Sequence, residues 1–107
     1  MKALVTGGGG FLGRYIVEKL RARGDEVRVL SRGKYPELEA IGCECMQGDL
    51  RSSQTVDAAC EGMDVVFHVA AMAAMWGDRE EIFGINVKGT ANLVDAAREK
   101  EVGRFVY

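Results

Sequence analysis

Thr6-Gly7-Gly8-Gly9-Gly10-Phe11-Leu12-Gly13 is the stretch of this sequence that decides the fold. A short apolar run, residues 3–5, leads into it, and an amphipathic run, residues 12–23, follows it. The glycines therefore lie where a strand turns into a helix. Because glycine has no Cβ, its backbone adopts positive φ angles and approaches a ligand closely. The first N–H groups of the following helix lack intrahelical partners and carry the positive end of the helix dipole, so the stretch predicts a site for a diphosphate group.

The glycines fit two spacings. Gly8-x-Gly10-x-x-Gly13 is the general dinucleotide-binding fingerprint, and Gly7-x-x-Gly10-x-x-Gly13, preceded by Thr6, is a variant of it. In both spacings Gly10 lies where the backbone approaches a pyrophosphate, and Gly13 lies where the helix packs against the strand. A glycine-rich hairpin or a flexible linker is the alternative. The strand before the glycines and the helical period after them argue against it.

The bulk composition is that of a globular protein. The chain has 107 residues, 48% of them hydrophobic and 28% charged, and a net charge of −2. This charge gives no indication of a nucleic acid or of an anionic membrane as a partner. The longest apolar stretch, residues 65–76, is interrupted by His68 and too short to span a bilayer, and the N-terminal apolar run is too short for a signal peptide. We therefore expect a cytoplasmic protein.

The three cysteines, Cys43, Cys45 and Cys60, do not form a pattern typical of a disulfide framework. Cys43 and Cys45 are spaced as a pair of metal ligands, but no fourth ligand is apparent and the chain has one histidine. Residues two apart on a strand share a face, so we interpret the pair as buried thiols and expect no metal site.

Strands and helices alternate along the chain. Strands are predicted at residues 2–6, 26–30, 43–47, 65–69 and from 104 onward, and helices at 11–23, 37–41, about 53–60 and about 79–100. In the first helix Leu12, Ile16 and Leu20 form the predicted apolar stripe. The alternation predicts an α/β fold with parallel strands and right-handed crossovers. Ligands of such sheets bind at the carboxyl ends of the strands.

The second predicted strand ends at Ser31 and Arg32. An NAD site usually places an Asp or Glu at this position to bind the ribose hydroxyls. An arginine there can pair with a 2′-phosphate, so the sequence favours NADP and leaves NAD open. The alternative is a solvated surface arginine.

The remaining strand ends carry further candidates. Asp49-Leu50 follows the third strand, where the Asp can bond an adenine amino group and the Leu can cover the ring; an ordinary turn Asp is the alternative. Val69-Ala70-Ala71 follows the fourth strand, and its small side chains leave room for a ribose. His68 is a conceivable general base, but it lies within the apolar strand, which favours a hydrogen-bonded structural histidine. Asn86, in the long helix, either bonds a neighbouring strand or is solvated.

Four motifs taken together resemble a known family: Thr6-Gly7-x-x-Gly10-Phe11-Leu12-Gly13, Gly48-Asp49-Leu50, Val66-Phe67-His68-Val69-Ala70-Ala71 and Asn86-Val87-x-Gly89-Thr90-x-Asn92. They occur in the same order in the extended short-chain dehydrogenases/reductases, the NAD(P)-dependent epimerase/dehydratase superfamily. Trp76-Gly77 after the alanines resembles the 3β-hydroxysteroid or sterol dehydrogenase and ketoreductase branch. The resemblance implies a Rossmann-like parallel sheet of five strands, in the order 3-2-1-4-5, with helices on both faces.

The resemblance also implies roles for residues at the strand ends. Those that hold the pyrophosphate are Gly7, Gly10, Phe11, Leu12 and Gly13. Those that meet the adenosine ribose or its 2′-phosphate are Ser31 and Arg32, and those that meet adenine are Asp49 and Leu50. Those that line the ribose on the nicotinamide side are Val69, Ala70 and Ala71, and Asn86 braces the site.

The family's catalytic group is missing from the sequence. Catalysis in the family needs a Ser or Thr after the fifth strand and a Tyr-x-x-x-Lys further on. Here Tyr15 and Lys19 have that spacing, but they lie in the first helix. We therefore expect residues 1–107 to be the dinucleotide-binding domain of an oxidoreductase acting on a secondary alcohol or ketone, without its substrate domain and without catalytic residues.

Two other hypotheses remain open at this point. The chain is alternatively a non-catalytic dinucleotide-binding module. It is alternatively a self-associating module that forms a homodimer through the long helix or through the edge of the C-terminal strand.

Overall fold

A computed structural model of the chain describes residues 1–7, 10–69 and 89–106. The strands in this part of the chain are β1 (Lys2–Thr6), β2 (Glu26–Ser31), β3 (Glu44–Gln47), β4 (Val65–His68) and β5 (Arg104–Val106). The helices are α1 (Phe11–Ala22), α2 (Pro36–Ala40), α3 (Ser53–Cys60) and α4 (Thr90–Glu99). The predicted elements are confirmed to within one or two residues, except that the first part of the predicted long helix lies outside the described residues.

The five strands form one sheet in the order β3-β2-β1-β4-β5, and every neighbouring pair is parallel. The predicted Rossmann-like topology is therefore confirmed. Because all strands run the same way, their carboxyl ends lie along a single edge of the sheet. The order changes direction at β1, so the glycine stretch that follows β1 lies at the topological switch point, where such sheets bind ligands.

The sheet separates two hydrophobic cores. Alternate residues of a strand point to opposite faces, so Ala3 and Val5 of β1 belong to one core and Leu4 belongs to the other. The first core is shared with Val17 and Leu20 of α1. The second is shared with buried residues of α3 and α4. Both faces of the central strands are thus covered, which explains why those strands read as continuous apolar runs.

The buried stripe of α1 differs from the predicted one by one position. Gly13, Val17 and Leu20 are buried in the helix, whereas Leu12 is 40% exposed. These three residues are spaced i, i+4 and i+7 and therefore share one face of the helix, whereas Leu12 lies on a neighbouring face. The predicted stripe was wrong at Leu12 because it followed side-chain hydrophobicity, although the glycine fingerprint had predicted that Gly13 packs against the strand.

A side-chain cap marks the start of α3. Ser52 is the N-cap residue, and its Oγ accepts a hydrogen bond from the Thr55 N–H at 3.4 Å. Glycines end three of the elements: Gly24, Gly42 and Gly62 have φ angles of 88°, 94° and 75°. None of the helices in the described ranges has the length and apolar character needed to cross a membrane.

Candidate functional site

The glycine stretch forms a tight turn at the carboxyl end of β1. Gly7 has a φ of 76°, in the region that favours glycine, and its carbonyl oxygen accepts a hydrogen bond from the Gly10 N–H at 3.1 Å. The Gly10 carbonyl in turn accepts the Arg14 N–H at 2.9 Å, which begins α1. Gly8 and Gly9 lie outside the described residues. The chain therefore passes directly from this turn into α1.

The positive end of the α1 helix dipole is not neutralised by a side chain of the helix itself. Within the described part of the chain, no side chain caps it, and its first turn carries no acidic residue. Phe11, the first helical residue, is 95% exposed. The first-turn N–H groups, which have no intrahelical partners, and the positive end of the helix dipole thus lie next to the turn, an arrangement typical of phosphate-binding sites. The residues present fit the diphosphate that the sequence predicts.

The ends of β2 and β3 are joined by hydrogen bonds. The Gly48 N–H donates to the Ser31 carbonyl oxygen at 2.9 Å, and Gln47 Nε2 donates to the Arg32 carbonyl oxygen at 2.9 Å. Ser31 Oγ donates to the carbonyl oxygen of Gly33 at 3.1 Å. The structure thus brings together the two strand ends that carry the predicted adenosine contacts.

Asp49 is an anionic group in this corner of the site. Its carboxylate accepts hydrogen bonds from Nε and Nη2 of Arg51, at 3.1 Å to Oδ1 and 2.7 Å to Oδ2. The hydrogen bonds from the Arg51 side chain, helped by the nearby charge of Arg32, lower the pKa of Asp49 to about 2. The carboxylate is therefore ionised at neutral pH, with the Arg51 guanidinium bound to it and the positive charge of Arg32 adding to its stabilisation.

Leu50 follows Asp49 with its side chain in the core. Its residue is 8% exposed and packs in the cluster on the α3 and α4 face of the sheet. Its carbonyl oxygen accepts a hydrogen bond from Asn92 Nδ2 at 3.0 Å. The contact of Leu50 with adenine stays a prediction. The hydrogen bond from Asn92 fixes the main chain of Leu50 to α4.

The end of β4 lies directly beside the glycine turn. The Val69 N–H donates to the carbonyl oxygen of Thr6 at 3.2 Å, and Val69 is buried. His68 hydrogen-bonds the hydroxyls of Thr6 and Thr90. The other residues predicted for this side of the site, Ala70, Ala71 and Asn86, lie outside the described residues, so their roles stay predictions.

Sequence reasoning gave no role to three contributors to this edge: Arg51, and Thr90 and Asn92 of the fourth motif. Arg51 follows a predicted site Asp by two residues, the spacing of a turn in which the Asp accepts the main-chain N–H, as it does here at 2.9 Å. The contact between Asp49 and Arg51 could therefore have been predicted from the sequence. Thr90 and Asn92 act on residues 22 and 42 positions earlier, and no local pattern predicts such contacts.

The cysteines offer no reactive or metal-binding thiol in the described parts. All three are free, and burial raises the pKa of each thiol, that of Cys60 to about 11. The thiolate that metals bind is therefore disfavoured. Across residues 1–7, 10–69 and 89–106, no three side chains of His, Cys, Asp or Glu come together as a metal site would require.

A charged cleft of about 350 Å³ lies at the opposite edge of the sheet. Arg28 crosses it: its Nε donates to the Glu44 carboxylate at 3.0 Å, and its Nη1 donates to the carbonyl oxygens of Ala59 and Glu61 at 2.9 and 3.0 Å. The charges of this cleft therefore bind one another and the end of α3. Its contacts hold the fold together, whereas the carboxyl edge presents the glycine turn and the two arginines.

A family profile matches residues 4–107, which include every described strand end of this edge. The chain belongs to the 3-beta hydroxysteroid dehydrogenase/isomerase family. The extended short-chain dehydrogenase resemblance drawn from the four motifs is thereby confirmed.

Relatives in this family cover almost the whole of the chain. It is 48% identical over 105 residues to the 2-alkyl-3-oxoalkanoate reductase of Shewanella oneidensis, a match that takes in 98% of this chain and 27% of the relative. It is 38% identical over 113 residues to the 3-beta-hydroxysteroid dehydrogenase of Mycolicibacterium neoaurum, with 99% and 31% covered. The chain thus spans about a third or less of the length of these relatives.

A solved structure shows the same architecture with a dinucleotide bound. The UDP-glucose 4-epimerase of Thermus thermophilus, crystallised in complex with NAD, superimposes with a TM-score of 0.86 at 36% identity. The superposition covers all of this chain and 37% of the epimerase. The Rossmann-like arrangement described above is therefore one that is found in a nucleotide-dependent enzyme.

Proposed function

We propose that this chain is the dinucleotide-binding part of an oxidoreductase that acts on a secondary alcohol or ketone. The observation that carries the proposal is the turn at Gly7 and Gly10, which leads into a helix N-terminus free of acidic side chains. A diphosphate fits this arrangement because main-chain N–H groups and the helix dipole both face the same edge. The bound cofactor would accept or donate hydride.

NADP is the proposed cofactor in preference to NAD. The end of β2 carries Ser31 and Arg32 in place of the acid that bonds ribose hydroxyls in NAD sites. Arg32 contributes to the low pKa of Asp49, which places its positive charge near that carboxylate. A 2′-phosphate is anionic at neutral pH and gains more from this arginine than ribose hydroxyls do.

The substrate class is proposed from the named relatives. One is a reductase of 3-oxoalkanoates and the other a dehydrogenase of 3-beta-hydroxysteroids. Both names describe an oxo or hydroxy group on a largely hydrocarbon molecule, and we extend that class to the protein of this chain. The substrate-binding part and the acid–base residues are proposed to come from outside these 107 residues.

The Tyr15 and Lys19 pair is not the acid–base pair of this proposal. Tyr15 is exposed on α1, and the Lys19 ammonium lies 5.4 Å from the centre of its ring, a cation–π contact on the outer surface. The chain alone is therefore expected to bind cofactor without turning over an alcohol.

Titration of the purified protein with NADPH and with NADH tests the proposal. We expect saturable binding, tighter for NADPH. Arg32→Gln should weaken NADPH binding about tenfold, the loss expected for one charge-assisted contact, and change NADH binding less than about threefold. Arg98→Gln removes the same charge from an exposed position on α4 and is the matched control. Absence of saturable binding for both nucleotides would contradict the proposal.

A self-associating role is the second candidate. Among the described strands β5 is at the edge of the sheet, and Val106 is exposed there. A free edge can pair with another copy of the chain, so we propose a homodimer through β5 or through the long helix at high concentration. Sedimentation at millimolar protein tests this, and a monomer throughout would contradict it.

We also propose a cytoplasmic location, which the three free cysteines support.

A further inference from the structure

A hydrogen-bonded chain of three side chains, two of them buried and the third half-buried, lies next to the glycine turn. His68 Nδ1 is 2.9 Å from Thr6 Oγ1, and His68 Nε2 is 2.8 Å from Thr90 Oγ1. His68 is 3% exposed and Thr6 is fully buried. The three residues belong to β1, β4 and α4, so the chain joins three separate elements at one point.

The position of this chain follows from the register of the sheet. Thr6 and His68 are directly paired partners of β1 and β4, two residues beyond the apolar pair Leu4 and Val66. Residues two apart on a strand share a face, so the polar pair continues the layer that Leu4 and Val66 begin. Both strands end at this pair, so it lies at the carboxyl end of β1 and β4. The edge of Phe105 packs on the imidazole, with ring centres 6.2 Å apart.

Thr6 is also the residue from which the glycine turn departs. Its carbonyl oxygen accepts the Val69 N–H at 3.2 Å, and the Gly7 N–H donates to the Leu30 carbonyl oxygen at 3.4 Å. The peptide between Thr6 and Gly7 is thus held by β4 on one side and β2 on the other. The hydrogen bond between Thr6 Oγ1 and the His68 ring is a side-chain contact at this same residue.

We propose that His68 is a positioning residue for the dinucleotide cradle: its Nδ1 contact fixes the side chain of Thr6 at the start of the turn, while its Nε2 contact to Thr90 fixes the imidazole. The proposal rests on the proposed function. His68 touches neither cofactor nor substrate in this role; it acts through Thr6. An apolar side chain at this position would fill the space but would hold neither threonine. The two ring nitrogens of His68 form hydrogen bonds of defined direction, which set the positions of Thr6 and Thr90.

The chemistry of the three groups is consistent with this role. Burial lowers the pKa of His68, so the ring is neutral, with one N–H and one lone pair. Each threonine hydroxyl either donates or accepts, so both ring nitrogens are satisfied in either tautomer. Both nitrogens are engaged and the ring is buried, which leaves it without the access that a general base needs.

Two substitutions of His68 separate its contacts. An Asn amide reaches about as far as Nδ1, and a Gln amide reaches about as far as Nε2. His68→Asn therefore keeps the Thr6 contact, and His68→Gln keeps the Thr90 contact. We expect His68→Asn to bind NADPH within about threefold of the unaltered protein and His68→Gln to bind about tenfold more weakly, the change that loss of one well-placed hydrogen bond produces. Urea unfolding of both variants measures their stability in parallel.

A second pair tests the same contact from the other side. Thr6→Ser keeps the hydroxyl, and Thr6→Val keeps the shape without it. We expect binding close to that of the unaltered protein for the first and about tenfold weaker binding for the second. Phe105→Leu removes the ring that packs on His68 and leaves both hydrogen bonds, so it is the packing control. The amide NMR signals of Gly7 and Gly10 should shift in His68→Gln and Thr6→Val and stay in place in Phe105→Leu.

The outcomes distinguish this inference from the function on which it rests. If the unaltered protein binds neither nucleotide, the proposed function fails and the inference fails with it. If the unaltered protein binds, equal affinities of Thr6→Ser and Thr6→Val among folded molecules would overturn the positioning role alone. The positioning role would also be overturned if differences in NADPH affinity between His68→Asn and His68→Gln were fully explained by differences in their free energies of unfolding.

Discussion

Asn92 Nδ2 donates a hydrogen bond of 3.0 Å to the carbonyl oxygen of Leu50, and this contact ties α4 to the loop that follows β3. The carbonyl lies beside Asp49, so α4 supports the adenosine corner of the proposed site. Asn92→Ala leaves a half-buried carbonyl without this donor. We expect the free energy of unfolding to fall by about 1 kcal/mol in urea denaturation.

The control for this variant is Glu99→Ala, an exposed position in the same helix. It should change the free energy of unfolding by less than about 0.5 kcal/mol. An Asn92→Ala protein as stable as the control would mean that water replaces the amide at Leu50 without cost.

Gly48 is required where β3 approaches α3. A Cβ at this position would lie 2.4 Å from Cγ2 of Thr55. Gly48→Ala should therefore lower the free energy of unfolding by about 1–3 kcal/mol, the usual cost of overpacking. Thr55→Ser removes the methyl group in conflict, so the double variant should recover a large part of the loss.

Gly103→Ala is the matched comparison, because its nearest heavy atom would be the Asp64 carbonyl oxygen at an ordinary 3.5 Å. Its effect should be within about 0.5 kcal/mol of zero. Equal losses at the two glycines would point to backbone entropy and away from the contact with Thr55.

The pairing of Asp49 with Arg51 has a signature at low pH. The pKa of Asp49 is lowered from 3.8 to about 2, chiefly by hydrogen bonds from the Arg51 side chain. The stabilisation from the ionised carboxylate is fully present above pH 3.8 and is lost as the pH falls through about 2. In Arg51→Gln the pKa should rise toward 3.8, as measured from the 13Cγ shift of Asp49. A titration unchanged by this substitution would contradict the pairing.

His68 gives a second pH dependence, of the same sign and in a higher range. Burial lowers its pKa below 6.5, so between the folded pKa and 6.5 the unfolded chain binds a proton that the folded protein does not. Stability is therefore fully present above 6.5 and falls as the pH drops through that window. His68 is the only histidine of the chain, so its Cε1–H NMR signal reports the titration without ambiguity.

His68→Asn keeps a polar side chain and removes the titration. Urea unfolding from about pH 5 to 7 should show a weaker dependence on pH in this variant than in the unaltered protein. Curves with the same slope in both proteins would assign the dependence to other groups.

The fold was predictable because its signals are local. The glycine stretch after the first strand, the helical period that follows it and the apolar runs of the strands each act within a few residues, and together they determine the alternation of elements. Parallel pairing and the order of the strands follow from that alternation and from the resemblance. The position of the glycine turn at the switch point then follows from the strand order alone.

The interior of the site was not predictable to the same degree. The bond from His68 to Thr90 depends on how α4 packs across the sheet, and a sequence pattern carries no such distance. Leu12 is exposed because it lies beside the helix face that Gly13, Val17 and Leu20 share, and side-chain hydrophobicity alone does not locate that face. The sequence does predict a hydrogen-bonded structural histidine at position 68, and the two partners of His68 confirm that interpretation.

The sheet places alternate residues of β1 in two cores that share no member. Ala3 and Val5 pack with α1, while Leu4 packs with α3 and α4. Side chains of β1 on opposite faces pack against different partners, so a substitution on one side is compensated first by residues of that same core. Over evolutionary time the two layers are free to drift separately, and a library that randomises one layer at a time explores sequence space without unsettling the other.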